Sequence, residues 1–533
     1  LETHFYTKIR NTRLFSKLLG FLAKFLLAVA FYATPVIGFW LASSLEAYLG
    51  GPAWMAWTAG ALLFPIIPGF WELHTWAYQK PDSKPWLTPF DRLSLKTFFV
   101  GFVFICGLIS FFPQAAFPAL STRGDWMLDG INDARADKAR HILFAVAGGL
   151  EGLYRAAQPN PSAAQIDADA LKSSNEAAQE RVQEVAQEER QEQQIASQKE
   201  SEEESEKESE NVAQKETPKD EQDADSANTT TAVESSTLSK KWPWKNAKLH
   251  PVVANMPASA ETSIKSVARY ISQREKDPVL RIKALHDYVA DRIAYDSVAY
   301  YSGTYPSQSA QTVFKTRKGV CAGYANLLTA LGKAMNEQVC VVLGNTRDSK
   351  NTDKVVGGSG HAWNAARING SWYLIDVTWD AGFTTREKGY TKEYRTDYFL
   401  TPPEVMIQNH FPEKDNWQLL SEPITLGDFL RKPMLDPAFQ AADLSLVRPT
   451  RAINETDSGA IAIVKNPNHR WLMVDLVQND NRVGYASDPT AEKYAKLERK
   501  LPGKGKYRLN IYTSEKGKYL DYQFVGAVDF VNR

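Results

Sequence analysis

His361-Ala362-Trp363-Asn364-Ala365-Ala366-Arg367-Ile368, then Asn369-Gly370, then Ser371-Trp372-Tyr373-Leu374-Ile375-Asp376 is the stretch whose reading decides the fold. An Asn-Gly pair between aromatic and β-branched runs is the strongest short-range hairpin signal, a two-residue type I′ turn. That turn predicts Ile368 opposite Ser371 and position 363 opposite position 376. Side chains alternate across a strand, so His361 and Trp363 share a face and Asp376 lies diagonal to His361 on it. A carboxylate there can accept Nδ1–H from the imidazole, fixing its tautomer and leaving Nε2 for a nucleophile. A slip of one residue would send Asp376 to the opposite face.

A nucleophile of the right kind lies upstream, in Arg317-Lys318-Gly319-Val320-Cys321-Ala322-Gly323-Tyr324-Ala325-Asn326. Leu327, Leu328, Leu331 and Ala334 continue it as a helical apolar stripe, which puts Cys321 in the first turn of a buried helix. Unpaired N–H groups and the positive dipole end favour a thiolate there, although a cysteine in that position is more often inert packing. Gly319 and Gly323 permit a tight approach of backbone to backbone. Further upstream, Val279, Ile282, Leu285, Val289 and Ile293 mark an amphipathic helix over 278–296, with His286 beside its apolar face as a satisfied core histidine. Cys340 lies in an apolar strand and reads as inert core; His410, followed by Phe411-Pro412, reads as ordering a loop.

Gly319-Val320-Cys321-x-Gly323-Tyr324-Ala325, His361-Ala362-Trp363-Asn364 and Trp372-Tyr373-x-x-Asp376-x-Thr378-Trp379 together resemble the three core motifs of the transglutaminase-like superfamily. The resemblance covers about Ala284 to Pro412. Tyr398-Phe399-Leu400-Thr401 and His410-Phe411-Pro412 resemble the branch that includes kyphoscoliosis peptidase and cytokinesis-associated relatives. The resemblance implies a papain-like fold and a triad of Cys321 as nucleophile, His361 as base and Asp376 as orienting acid. It also implies acyl transfer through a thioester, with the backbone N–H of Cys321 in the oxyanion hole. Tyr305 and Gln308 are candidates for the second donor, and Trp363 and Trp379 for walls of the site or for packing.

The remaining sequence supplies an address for that site. Whole-chain averages, 44% hydrophobic and no net charge, hide unlike regions. The chain begins at Leu1, which suggests a fragment or a non-standard start. Apolar runs over about 18–42, 50–70 and 97–120 are each long enough to span a bilayer, which takes about 20 residues. Lys8, Arg10, Arg13 and Lys17 precede the first run, and Lys80, Lys84, Arg92 and Lys96 lie between the second and third. The positive-inside rule then places everything beyond Leu120 outside the cytoplasm, although Arg123, Arg135, Lys138 and Arg140 pull the other way. His141 to Leu153 is too short to span and reads as an interfacial or packed helix. From 159 to 240 the chain has 21 acidic and 8 basic residues and few aromatics, too charged to bury a core. Ala163 to Gln198 suits a solvated helix or weak coiled coil, Ser201 to Glu210 an extended solvated chain. Strand-like runs recur after Leu419: 460–464, 471–477, 507–513 and 521–531.

The expected architecture is therefore multidomain. A three-helix transmembrane region (1–120) is followed by a membrane-proximal helical segment (121–158) and an acidic helical or disordered spacer (159–240). An α+β papain-like transglutaminase core (241–419) and a C-terminal all-β, sandwich-like domain (420–533) complete it. The three cysteines, Cys106, Cys321 and Cys340, exclude a disulfide scaffold. No CxxC or HExxH occurs, so neither a metal nor another cofactor is expected, and nothing points to nucleic acid. The expected function is a membrane-anchored cysteine acyl-transfer enzyme, of protease, amidase or transglutaminase type, acting on protein or peptide amides. Its expected location is the cell inner membrane, with the catalytic domain periplasmic. The competing reading is a catalytically silent scaffold that binds envelope or division proteins.

Overall fold

Thr88-Pro89-Phe90-Asp91 shows how the N-terminal helices are delimited. Thr88 Oγ1 accepts a hydrogen bond from the Asp91 N–H, the Asp91 carboxylate accepts the Thr88 N–H, and Pro89 occupies the first helical position. This capping box starts a helix where the N–H groups would otherwise lack partners. The computed structural model describes residues 28–79, 86–129, 131, 133–157, 164–210, 242, 244, 248–348 and 360–532. Within these, α1 (Ala28–Tyr48), α2 (Ala53–Ala77) and α3 (Pro89–Phe111) are long and apolar enough to cross a membrane. The third starts and ends earlier than the expected 97–120: the capping box opens it, and Pro113 opens a separate helix, α4 (Pro113–Arg123). The expected first span began at Leu18, and its part before Ala28 lies outside the described residues. Trp54, Phe70 and Phe111 are 66%, 69% and 78% exposed, an arrangement unfavourable in water and suited to lipid.

Two helices lead from this region to the core: α5 (Ala134–Ala157) and α6 (Ala168–Glu210). The second corrects the spacer reading twice. Ser201–Glu210 continues the helix instead of running extended, in keeping with the helix propensity of its Glu and Lys residues. The first part of α6 is docked, not solvated. Ala177 and Ala178 are buried with Cys340, Trp363, Leu374 and Trp417, while Ile166, just before the helix, and Ala170 are buried with Cys321, Ala322 and Val341. The expected spacer over 211–240 lies outside the described residues.

Helices α7 (Ile264–Arg274), α8 (Pro278–Arg292) and α9 (Cys321–Ala334) pack against a sheet of β1 (Gln338–Thr346), β2 (His361–Ile368), β3 (Ser371–Ile375), β4 (Phe399–Thr401) and β5 (His410–Pro412). Its order is β4-β3-β2-β1-β5, antiparallel throughout. The hairpin has the expected register, with Ile368 paired to Ser371 and Asn364 to Ile375. Asn369 and Gly370 have φ of 51° and 86°, the left-handed pair that a type I′ turn requires. Tyr324, Leu327, Leu328 and Leu331 of α9 meet Ala366, Ile368, Tyr373 and Ile375 of the sheet, with Ile282, Leu285 and Val289 of α8 completing the core. Strand β5 pairs with β1 only at 344–346. α6 lies beside the rest of that strand, and Ser174 Oγ donates to the Val341 carbonyl, which shields an open sheet edge.

The C-terminal region is rich in β-sheet. Six strands (Met434–Leu435, Ile453–Thr456, Trp471–Gln478, Asn481–Arg482, Gly505–Ser514 and Gln523–Asn532) form one sheet. Ser445–Arg448, Gly459–Lys465 and Tyr494–Lys500 form another. Ala462, Val464 and Leu497 of the smaller sheet share a core with Val474, Leu509, Ile511 and Phe530 of the larger.

Candidate active site

Helix α9 begins without a side-chain cap from its own N-cap residue, Val320. Gln308 holds the N-cap residue itself: its Oε1 accepts the Val320 N–H at 2.9 Å, and its Nε2 donates to the Pro306 carbonyl at 2.9 Å. This explains Gly323, because a Cβ there would lie 2.6 Å from Gln308 Oε1 and 2.8 Å from Val313 Cγ2. Gln308, a candidate oxyanion donor on sequence grounds, is thus engaged with the backbone that orients the helix. Asn326 fixes the next turn, donating to the carbonyls of Gln165 and Gln308 and accepting the Asp167 N–H. Cys321 sits in the first turn of the helix with 8% of its surface exposed.

The hairpin supplies its partners. His361 opens β2, and Asp376 follows the last residue of β3. His361 Nε2 donates to Asp376 Oδ2 at 2.6 Å. This reverses the expected use of the ring: Nε2, not Nδ1, serves the acid. Nδ1 is left to serve Cys321, whose side chain also hydrogen-bonds the imidazole. Asp376 Oδ1 accepts the N–H groups of Thr378 and Trp379 at 2.8 and 3.2 Å, capping the short helix α10 (Val377–Ala381). The carboxyl is fully buried. Burial alone would raise its pKa, but His361 and His410 hold it well below the usual carboxylate range. Burial disfavours the His361 imidazolium too, yet the Asp376 charge and hydrogen bond, with the Cys321 contact, push its pKa up to about 10. The site thus favours an imidazolium, the state that pairs with a thiolate.

His410 also joins this group, beyond the loop-ordering role expected of it. Its Nε2 lies 2.9 Å from Asp376 Oδ2 and its Nδ1 lies 2.6 Å from Asn409 Oδ1, while Asn409 Nδ2 lies 2.5 Å from the Tyr398 hydroxyl. Burial lowers its pKa to about 4, against the opposing pull of Asp376, so the ring is neutral at pH 7. A neutral ring donates one hydrogen bond. With that bond given to Asp376, Nδ1 is an acceptor, so the chain is satisfied once the Asn409 amide is rotated by 180°, its NH₂ donating to His410 Nδ1 and its oxygen accepting from the Tyr398 hydroxyl. Sequence spacing could not reveal this partnership, because His410 reaches the site through the pairing of Thr346 with position 410.

The other candidates fall into place around the site. Trp363 and Trp379 each lie 5.9 Å from the His361 ring, Trp363 buried and Trp379 partly so. Burial pushes the Cys340 thiol up, as suits an inert core residue. His286 is buried between Asp287 Oδ1 at 2.9 Å and Asp380 Oδ2 at 3.0 Å, a satisfied histidine as expected. His361, Asp376 and His410 each place one ligating atom within 4.8 Å of the others and could hold a metal ion. In the geometry described, both Nε2 atoms are instead engaged with the same carboxylate oxygen.

Residues 265–377 match the transglutaminase-like superfamily. Kyphoscoliosis peptidase of Mus musculus is 25% identical over 286 residues, 51% of this chain and 43% of that protein. The Homo sapiens kyphoscoliosis peptidase is 25% identical over 257 residues, 48% of this chain and 39% of that protein. The chain thus spans less than half the length of these curated relatives. A solved TGase structure is 19% identical, over 32% of this chain and 42% of that one, with a TM-score of 0.19.

Proposed function

Residues 265–377 form a transglutaminase-like superfamily domain, and from that premise we propose that the chain is a membrane-anchored cysteine acyl-transfer enzyme acting on protein or peptide amides. The observation that carries this reading is the 2.6 Å contact between His361 Nε2 and a buried Asp376 carboxylate, with Cys321 on the same imidazole. A Cys–His pair oriented by a third group is the arrangement that activates a thiol. In the proposed reaction the Cys321 thiolate attacks the amide carbonyl, and the oxyanion develops beside the start of α9. His361 gives its proton to the departing amine as the C–N bond breaks, leaving a thioester on Sγ. A water or a second amine, deprotonated by His361, then displaces Sγ and releases the acid or a new amide. Hydrolysis is the favoured outcome, since water is always at hand.

The three apolar helices support anchoring. The run of basic residues before the first span and between the second and third supports an extracytoplasmic, periplasmic catalytic domain in an inner membrane. A membrane-impermeant thiol reagent on intact cells, with a denatured control, tests that placement; labelling of Cys321 only after lysis would exclude it.

The chemistry is tested with a thiolate-selective alkylating reagent on the full chain in lipid nanodiscs, with labelled peptides mapped by mass spectrometry. Cys321 is expected to label rapidly near pH 7 and to lose that reactivity in His361→Ala. Labelling only at alkaline pH, unchanged in His361→Ala, would instead favour the silent scaffold. Comparing the envelope proteins of cells carrying wild type and Cys321→Ala then separates the reaction types: new termini for a protease, deamidated glutamines for an amidase, crosslinks for a transglutaminase.

A further inference from the structure

Asp376 makes more hydrogen bonds than a three-residue site needs. Oδ1 accepts two backbone N–H groups, while Oδ2 accepts from His361 on one strand and from His410 on another. Strands β2 and β5 are not neighbours; β1 lies between them. Gly344, in β1, is the residue paired with both His361 and Pro412. A Cβ at Gly344 would collide with the Phe411 carbonyl and the Trp363 ring and would come within 2.7 Å of Pro412 Cα. The absence of a side chain at this one position lets the two histidine-bearing strands close on either side of β1.

We propose that His410, backed by Asn409 and Tyr398, is a positioning residue that holds the Asp376 carboxylate in place for His361. It acts through the acid. The ring is enclosed on its other sides by Trp379 at 4.6 Å and by Trp363 and Tyr398 at 5.2 Å. Its orientation is therefore set before any substrate arrives, as a supporting contact must be. Tyr398 is tied to the same acid a second way, since its carbonyl accepts the Asp376 N–H at 2.9 Å. The titratable groups facing Asp376 are His361 from β2, His410 from β5, Tyr398 ahead of β4, and Asp380 in the helix that Asp376 caps. Losing His410 removes one of the two donors that fix Oδ2. His361 is then less well held as an imidazolium, and the Cys321 thiol moves toward ordinary behaviour.

This inference rests on the acyl-transfer reading, and Cys321 alkylation in the full chain tests the two separately. His410→Leu is expected to slow labelling at pH 7 by about tenfold and to move the acid limb of the labelling–pH profile upward. His410→Gln, whose amide NH₂ can occupy the place of Nε2, is expected to restore labelling to within about threefold of wild type. In an Asp376→Asn background His410→Leu should add almost nothing, because both changes act on one carboxylate. A purely structural role would instead lower the melting temperature, leave the profile in place and add in the double variant. Should His410→Leu fail to fold, Tyr398→Phe decides: it removes the hydroxyl that orients Asn409, and a smaller slowing in the same direction is expected. Unchanged labelling in Tyr398→Phe, or an additive double variant, would overturn the role of His410. If His361→Ala labels as fast as wild type, the enzyme reading itself fails.

Discussion

Asp376 and His361 carry opposite pH signatures, and their signs can be worked out separately. Asp376 has its pKa depressed by folding, so its stabilising contribution is complete above the usual carboxylate value of 3.8 and is lost as pH falls through its folded value. His361 is raised from 6.5 to about 10, so its contribution is complete below pH 6.5 and is lost as pH climbs toward 10. Melting temperatures of wild type are therefore expected to fall between pH 7 and pH 9.5 more steeply than those of Asp376→Asn, which has no carboxylate to hold the imidazolium. Equal slopes would show that the pair is not coupled. Gly344 offers a second test at this scale. Gly344→Ala must push β5 from β1, and a cost of about 1–3 kcal/mol in denaturant unfolding is expected, with slower Cys321 labelling because His410 moves with its strand. That Cys321, His361 and Asp376 come together could be read from the sequence, since each lies in a local pattern whose geometry is known. The nitrogen assignment on His361 and the presence of His410 could not, because both depend on how β1 brings β5 to the hairpin.

At the scale of elements, the hairpin and α9 needed no more than their own residues: Asn369-Gly370 sets the register, and Leu327, Leu328 and Leu331 set the buried face. Helix α6 was harder to read. Its buried positions among the described residues are Ala170, Ser174, Ala177 and Ala178, small residues that add little to a hydropathy pattern dominated by Glu and Gln. Small side chains are what close packing against a sheet edge asks for, and composition alone does not distinguish them from solvated helix. Polar bonds supplement that packing. Asn416 donates to the Ala178 carbonyl at 2.7 Å, Lys414 to Asn175 at 2.7 Å, and Arg367 pairs with Glu184 at 2.6 Å. Ala178→Asp would bury a carboxylate against Trp363 and Trp417, and about 3 kcal/mol or more of destabilisation is expected. Lys172→Ala, on the exposed face of the same helix, should change the melting temperature little. If both variants unfold like wild type, α6 is a loose tether and not part of the folded core.

At the scale of the whole molecule, the C-terminal sheets meet α4 and α5 through charged groups hundreds of residues apart, which no local pattern could reveal. Arg123 of α4 bridges Asp129 at 2.6 Å and Glu455 at 2.7 Å. Asp125, just beyond that helix, is buried between Arg451 and Arg140, the latter at 3.3 Å. Arg431 completes the joint, donating to the Ser121 carbonyl and lying 3.7 Å from the Phe144 ring centroid. The 1% side-chain exposure of Asp125 makes it the most sensitive member, because Arg451 and Arg140 both pair with this one shielded carboxylate. Asp125→Ala would take the carboxylate from Arg451 and leave Arg140 with Asp137, a change expected to weaken the joint by about 1–3 kcal/mol. Phe117 of α4 packs with Phe411 of β5, but Cys321 lies in a different apolar cluster, with Ala322, Ala325 and Val341. Hydrogen exchange of the full chain in nanodiscs should therefore accelerate over 121–129 and 451–456 in Asp125→Ala, while Cys321 alkylation keeps its wild-type rate and pH profile. Acceleration that spread to α9 and β2, or a change in alkylation, would mean that the joint and the catalytic core unfold as one unit.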